Sequence, residues 1–406
     1  MRSLRGLMKD SLMRNSWYLA LASGGTAALG FVFWIIIARL YPTESLGYAA
    51  TLISAMSLIA TISLLGFDVG IIRFWKDKNK NALVGSCWTL SIFTALVAGL
   101  GAVLLFSGTK FSFLLEKPLY PFFFILLSAS WVAYNLLDSV YIAMRDSGTV
   151  LKKQLIFSVI KLILPFALLS LGFFGIFASW TIAGLVAWGA ILFSRPIPFR
   201  PGLDKALLRS VFGFSVFNYL AMLLNRAREL IIPLLVFAAL GPSETAYFQV
   251  AFNVMVLALL IPKSFAKALL AEASHDGSEL KKGLRKTMLF TILSSLAIIV
   301  AVFIFGRFLL LLYGPSYASG SLALLKLFSL AGLLSGINEI LFTLMRVRFM
   351  MRPLLFFHFA NAFITLGLCA LLIGKGIAWI GVAWAAGELA TLALILGYGL
   401  SKKVMS

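Results

Sequence analysis

The chain has 406 residues, of which 61% are hydrophobic and 12% charged, with a mean hydropathy of +1.00. A soluble domain carries about 25% charge, so a water-soluble globular enzyme is excluded and lipid is the main solvent. The formal net charge of +20 would point to nucleic acid in a soluble protein, but its placement along this chain has a topological explanation and no nucleic-acid partner is expected.

A membrane span needs roughly 20 apolar residues. Apolar runs between charge clusters predict spans near 15–40, 45–67, 83–107, 119–143, 154–172, 174–193, 208–239, 245–270, 286–312, 321–345, 353–373 and 376–399. Backbone polar groups inside a bilayer must be satisfied within the segment, so these runs are helices. The alternation of barrel strands is absent. The expected fold class is therefore an all-α integral membrane protein of about 12 transmembrane helices.

With the N-terminus in the cytoplasm, 26 of the 35 Lys and Arg fall on that side, including Arg73, Lys76, Lys78, Lys80 and six around the 263–286 loop. Four lie on the other side (Arg39, Lys110, Lys117 and Lys375) and five within spans. That asymmetry predicts an N-in, C-in protein in the cytoplasmic membrane. Cys87 and Cys369 both fall in spans, so no disulfide framework is expected. Ala20-Leu21-Ala22 imitates a signal-peptidase site, but the hydrophobic run follows it instead of preceding it, so no cleaved signal peptide is read.

The chain repeats itself. Ala38-Arg39-Leu40-Tyr41-Pro42-Thr43-Glu44-Ser45 aligns with Ala238-Ala239-Leu240-Gly241-Pro242-Ser243-Glu244-Thr245 at an offset of 200. Asp138 with Ala143-Met144-Arg145 aligns with Glu339 and Leu344-Met345-Arg346 at an offset of 201. Six spans restore the starting orientation, so the halves are parallel repeats related by an axis along the membrane normal. The expected lobes are two six-helix bundles, 1–193 and 208–406. The stretch 194–207, with Pro196, Pro198 and Pro201, is expected to be a cytoplasmic linker. Two such lobes around a cleft are a transporter architecture.

Ionisable residues at membrane depth are costly and usually face a cavity or a partner. Span seven carries Asn218, Asn225, Arg226, Arg228 and Glu229 near its middle, with Ser215 one turn below. At 100° per residue these six fill an arc of roughly 160°, one polar face and a wet, cationic interior. Arg226 and Glu229 are i, i+3 neighbours able to pair, which leaves Arg228 without a local carboxylate. An unpaired guanidinium suits a phosphate or pyrophosphate.

Other depth charges are open to more than one reading. Lys161 either reaches the carbonyl freed by Pro165 or snorkels, and Arg307 and Lys326 can snorkel. Glu388, at the centre of span twelve, is protonated, paired with a cation, or a coupling-ion site. Asp138 and Glu339, seven residues before Arg145 and Arg346, form either inter-lobe latches or simple interfacial pairs. His358 in a span is expected to hydrogen-bond between helices, and His275 falls in a loop. No His, Cys or carboxylate cluster has metal-site spacing, so no metal or cofactor is expected. Gly24-Gly25 serves close helix packing or a hinge. Trp17, Tyr41, Tyr313 and Trp379 suit the membrane interface.

Enzyme chemistry has little to stand on. A membrane glycosyltransferase would need catalytic groups on a substantial outer loop, whereas the outer carboxylates are Glu44, Glu116 and Glu244 on short loops. No nucleotide motif is present, so energy would come from proton or sodium gradients, the membrane potential, or consumption of product.

Several segments together are similar to one family. They are Asn15-Ser16-Trp17-Tyr18-Leu19 opening span one, and Ile36-Ile37-Ala38-Arg39-Leu40 followed by Pro42, Glu44 and Gly47. Two more are Leu65-Gly66-Phe67-Asp68-Val69-Gly70-Ile71-Ile72-Arg73-Phe74 and Leu312-Tyr313-Gly314-Pro315-Ser316-Tyr317. The ordered set resembles the polysaccharide-biosynthesis branch, the O-antigen flippase-like proteins, of the multidrug/oligosaccharidyl-lipid/polysaccharide (MOP) superfamily. The resemblance implies a pair of six-helix bundles working by alternating access. Its implied cargo is a polyprenyl-(pyro)phosphate oligosaccharide among membrane lipids, with glycan-assembly enzymes as partners. By location Arg226, Arg228, Asn225, Asn218 and Arg39 fit phosphate binding, while Glu229, Glu388, Asp138 and Glu339 fit coupling or structural ion pairs. Span one has no charge between Trp17 and Ala38, unlike the related lipid II flippases, which argues against lipid II. The alternatives are a cation or multidrug antiporter of the same superfamily, and a scaffold of a glycan-assembly complex that transports nothing.

Overall fold

A computed structural model describes residues 11–273 and 280–402, so His275 lies outside the described residues. Twelve long helices follow from the apolar runs: α1 Ser11–Leu40, α2 Thr43–Ser63, α4 Lys80–Phe106, α5 Leu119–Ala143, α6 Ser147–Ala167 and α7 Phe173–Ser194 make the first six. The second six are α8 Lys205–Leu240, α9 Pro242–Ala273, α10 Leu280–Leu311, α12 Leu322–Val347, α13 Met351–Leu372 and α14 Ala378–Lys402. Two short helices intervene, α3 Phe67–Phe74 and α11 Pro315–Gly320. The connection expected over 263–286 is therefore mostly helical.

Eleven of the twelve long helices are long and apolar enough to cross a membrane. The exception is α6, which carries Lys152, Lys153 and Lys161. It begins seven residues before the expected span because Asp146 caps it, accepting from the Thr149 amide at 3.3 Å. Lys153 and Lys161 are buried among protein groups, so α6 needs less apolar surface than its neighbours. By contrast, α10 exposes Leu289, Phe290, Leu293, Leu296, Val300 and Phe303. This stripe at helical spacing is stable only against lipid, and the protein is a multi-pass membrane protein.

The chain divides into two compact units, Met1–Tyr41 with Leu52–Tyr219, and Pro42–Thr51 with Leu220–Ser406. In the first, α6 packs against α1 and α7, and α4 against α5. Its core is aromatic: Trp131 stacks on Tyr134 at 4.7 Å, and Trp180 lies against Phe157 and Phe33. In the second, α12 is the hub, touching α9, α10 and α14, with Phe248, Phe328 and Trp384 at its centre.

Residues 195–204 are non-helical and lie on the start of α4. The Arg200 amide donates to the Asn81 carbonyl, Phe199 faces Trp88, and Ser86 Oγ accepts from the Asp204 amide. A Cβ on Gly85 would fall 1.7 Å from the Arg200 carbonyl oxygen, so this segment is fastened down. The Leu65-Gly66 turn is left-handed, with φ of 50° and 76°. Gly66 is required there twice over, because a Cβ would also meet Ser215 and Tyr219 of α8 at 2.9 Å.

Three expectations change. Gly24 and Gly25 have nothing within 4 Å of an added Cβ, so close packing does not explain them. Tyr41 and Tyr313 are buried in protein, not at a lipid interface; the Tyr41 hydroxyl donates to the Pro165 carbonyl at 2.7 Å. His358 lies against the Phe342 ring at 4.2 Å, and its Nε2 has no hydrogen-bond partner.

Candidate functional site

The polar turn of α8 and the lone carboxylate of α14 meet. Arg228 Nη1 donates to Glu388 Oε1 at 2.6 Å, with the Glu388 side chain 2% exposed and that of Arg228 12%. A carboxylate that dry is tolerated only if it is paired and its remaining lone pairs are filled. Ser335 Oγ of α12 donates to Oε1 at 2.8 Å, and Asn338 Nδ2 to Oε2 at 2.7 Å. Asn361 Nδ2 of α13 also reaches Oε2, at 3.3 Å. Each hydrogen bond to a charged group contributes roughly 1.5–3 kcal/mol, so this shell offsets part of the cost of burying the Glu388 carboxylate. Thr391 accepts from Asn361 and donates to the Gly387 carbonyl, both at 2.8 Å, which holds the amide in place.

The expected unpaired guanidinium is thus corrected: Arg228 has a carboxylate, 160 residues away in sequence. Of the alternatives for Glu388, pairing with a cation is the one found. Arg228 is nevertheless far from saturated. A guanidinium has five N–H donors, the structure records one hydrogen bond for it, and Nε is buried without a partner. The Trp384 ring lies 5.1 Å from Cζ, a cation–π contact. A cavity opens beside the pair, lined by Asn225, Arg228, Glu229, Glu339, Glu388 and Trp384 among others.

The other expected residues divide. Asn225 and Glu229 reach the cavity; Arg226 and Asn218 are exposed and do not line it. No ion pair joins Arg226 to Glu229 among the described residues. Arg39 is exposed and, like Asn218, belongs to the first unit. Glu339 pairs with Arg346 at 3.1 Å, a local ion pair within α12. Asp138 does not take Arg145 but the buried Lys153, at 2.7 Å. Lys153 also donates to the Tyr134 carbonyl at 2.5 Å, and Gln154 bonds Asp138. With one cation and three carboxylates in its lining, the cavity is not the cationic interior expected of span seven.

Lys161 neither bonds a freed carbonyl nor snorkels. It is 1% exposed, with its ammonium 5.1, 4.6 and 4.2 Å from the ring centroids of Phe33, Phe157 and Trp180. Sequence reasoning missed this aromatic box and also Ser335, Asn338 and Asn361. Two amides at the middle of spans were a usable signal, since such groups are expensive in hydrocarbon unless they bond.

A family model described as "Polysaccharide biosynthesis protein" matches residues 36–321. The chain belongs to this family. No curated protein sequence matches it significantly. Among solved structures this polysaccharide-biosynthesis protein is similar to the lipid II flippase MurJ in an inward closed conformation, at 13% identity and a TM-score of 0.75 over 95% of this chain and 87% of that one. It is similar to an inward-facing multidrug resistance MATE family transporter of the MOP superfamily, at 12% identity and a TM-score of 0.72 over 96% and 98%. A third is a MOP superfamily transporter from Pyrococcus furiosus noted for reverse polarity of its binding pocket, at 13% identity and a TM-score of 0.63 over 98% and 96%. At such identities the likeness establishes the fold, the two-repeat, twelve-helix MOP architecture, as the family resemblance of the sequence implied.

Proposed function

We propose that this family member is a flippase that turns a polyprenyl-(pyro)phosphate-linked oligosaccharide from the inner to the outer leaflet of the cytoplasmic membrane, N-in and C-in, by alternating access of its two six-helix lobes. The observation that carries the reading is the family match over 36–321. It brings polysaccharide synthesis to a chain whose fold is shared with a flippase and with transporters. Arg228 supports the phosphate: it lines a cavity, and among the described residues one hydrogen bond is recorded for its five donors. Glycan-assembly enzymes would supply and consume the cargo, and a proton or sodium gradient would drive the cycle.

The test is leaflet exchange of a fluorescent polyprenyl-pyrophosphate oligosaccharide in proteoliposomes. Exchange faster than in empty vesicles supports the proposal. Background exchange by folded protein overturns it and favours a second reading, a cation antiporter. Glu229 is the observation behind that alternative, a cavity carboxylate with no ion pair among the described residues. Cationic dyes under proton or sodium gradients would test it directly.

A further inference from the structure

Resting on the flippase reading, we infer that Glu388 is a resident stand-in for the substrate's phosphate: it occupies Arg228 while the cavity is empty, and substrate binds by displacing it. Glu388 thereby sets the affinity of the site.

Three features of the geometry lead there. Arg228 is held by a single bond from Nη1, so its hold on Glu388 lacks the paired, fork-like form that a guanidinium gives a carboxylate or phosphate at best. The residue lines the cavity, so an anion inside it meets the guanidinium directly. Most telling is the shell around Glu388. Ser335, Asn338 and Asn361 are neutral donors, and they cover both carboxylate oxygens independently of Arg228. If Arg228 were the carboxylate's sole support, losing it would strand a buried charge, and the pair would be locked. With three other donors in place, the carboxylate stays solvated by the protein when the guanidinium turns away. Asn338 is itself anchored through a second bond, Nδ2 to the Glu388 carbonyl at 2.9 Å, and Asn361 through Thr391. The shell is therefore positioned without Arg228.

A shell that only stabilised the pair would make opposite demands. Loosening Glu388 from Asn338 would then weaken everything built on it, anion binding included, and removing the carboxylate would do the same. Competition instead gives the two changes opposite signs.

The experiment measures pyrophosphate binding to the full chain in nanodiscs, with inorganic pyrophosphate in one arm and a fluorescent polyprenyl pyrophosphate in the other. The first arm reads the headgroup alone and the second adds the lipid. Glu388→Gln is expected to bind both about tenfold more tightly than wild type. Asn338→Ala, which leaves Glu388 more dependent on Arg228, is expected to bind several-fold more weakly. Should Glu388→Gln fail to fold, Ser335→Ala joins Asn338→Ala, and unchanged binding by both overturns the inference. Wild-type binding that needs Arg228, with Glu388→Gln equal or weaker, overturns it and leaves the flippase reading standing. Absence of Arg228-dependent binding in wild type and Glu388→Gln alike removes the phosphate site, and the inference with it.

Discussion

Gly47 lies directly on Pro242: a Cβ added to the glycine would sit 1.8 Å from the proline's carbonyl oxygen. Pro242 opens the Pro-x-Glu of the second repeat copy and Gly47 follows the Glu44 of the first by three residues, and the start of α2 touches the start of α9 backbone to backbone.

No side chain fits between them. Gly47→Ala is expected to destabilise the protein by about 1–3 kcal/mol through overpacking, read as a lower Tm in detergent. Gly25→Ala is the control. Nothing lies within 4 Å of its new methyl, and a helix interior favours Ala over Gly by roughly 0.8–1 kcal/mol, so its Tm should not fall.

Arg228→Ala removes the charged partner of a carboxylate that is 2% exposed. Breaking a buried pair from one side costs about 3–5 kcal/mol, tempered here by the neutral donors around Glu388. Thermal unfolding should show a clear loss for the single variant and partial recovery in Arg228→Ala/Glu388→Gln. Equal losses in both would mean that Glu388 does not need its cation for stability.

The two buried lysines of α6 should behave oppositely. Lys153→Met leaves Asp138 without its ion pair and should lower Tm, by an amount corresponding to about 3 kcal/mol. Lys161 has three aromatic rings around its ammonium and no ion pair among the described residues. Lys161→Met trades a desolvated charge for an apolar chain of similar length, so Tm should hold or rise. A fall in Tm would show that the cation–π contacts outweigh the cost of burying the charge.

Arg73 and Asp77 form an exposed i, i+4 pair at 2.9 Å. Arg73→Ala should change stability by less than about 1 kcal/mol and leave leaflet exchange at the wild-type rate. A strong transport defect would give this cation a role beyond the ion pair.

The spans were legible in the sequence because hydropathy acts locally: twenty residues are enough to decide whether a segment belongs in lipid. The one helix that departs from that pattern, α6, does so because its lysines are compensated by tertiary partners, Asp138 and the rings around Lys161. The repeat marked two helix breaks, and both are present at Tyr41–Pro42 and Gly241. Charges at depth were also visible one by one, Arg228 and Glu388 among them. Their partnership was not, because no local rule links positions 160 residues apart. Intrahelical spacing favoured Arg226 with Glu229 and Asp138 with Arg145; neither pair forms among the described residues, and Asp138 takes Lys153 of a neighbouring helix instead.

Helices α2 and α8 each belong to both compact units, α2 changing over between Thr51 and Leu52 and α8 between Tyr219 and Leu220. This has a consequence for biosynthesis. When the ribosome has completed α7, the first unit still lacks residues 205–219, and Pro42–Thr51 has been made without the unit it packs into. Neither half can reach its final packing until translation has passed well into the other. The early spans must wait in the bilayer with part of their polar and glycine surface uncovered, which makes this interval the time when membrane chaperones or proteases have most to grip. Coexpressed halves cut at the 194–207 segment would each carry a helix end that only the other can house.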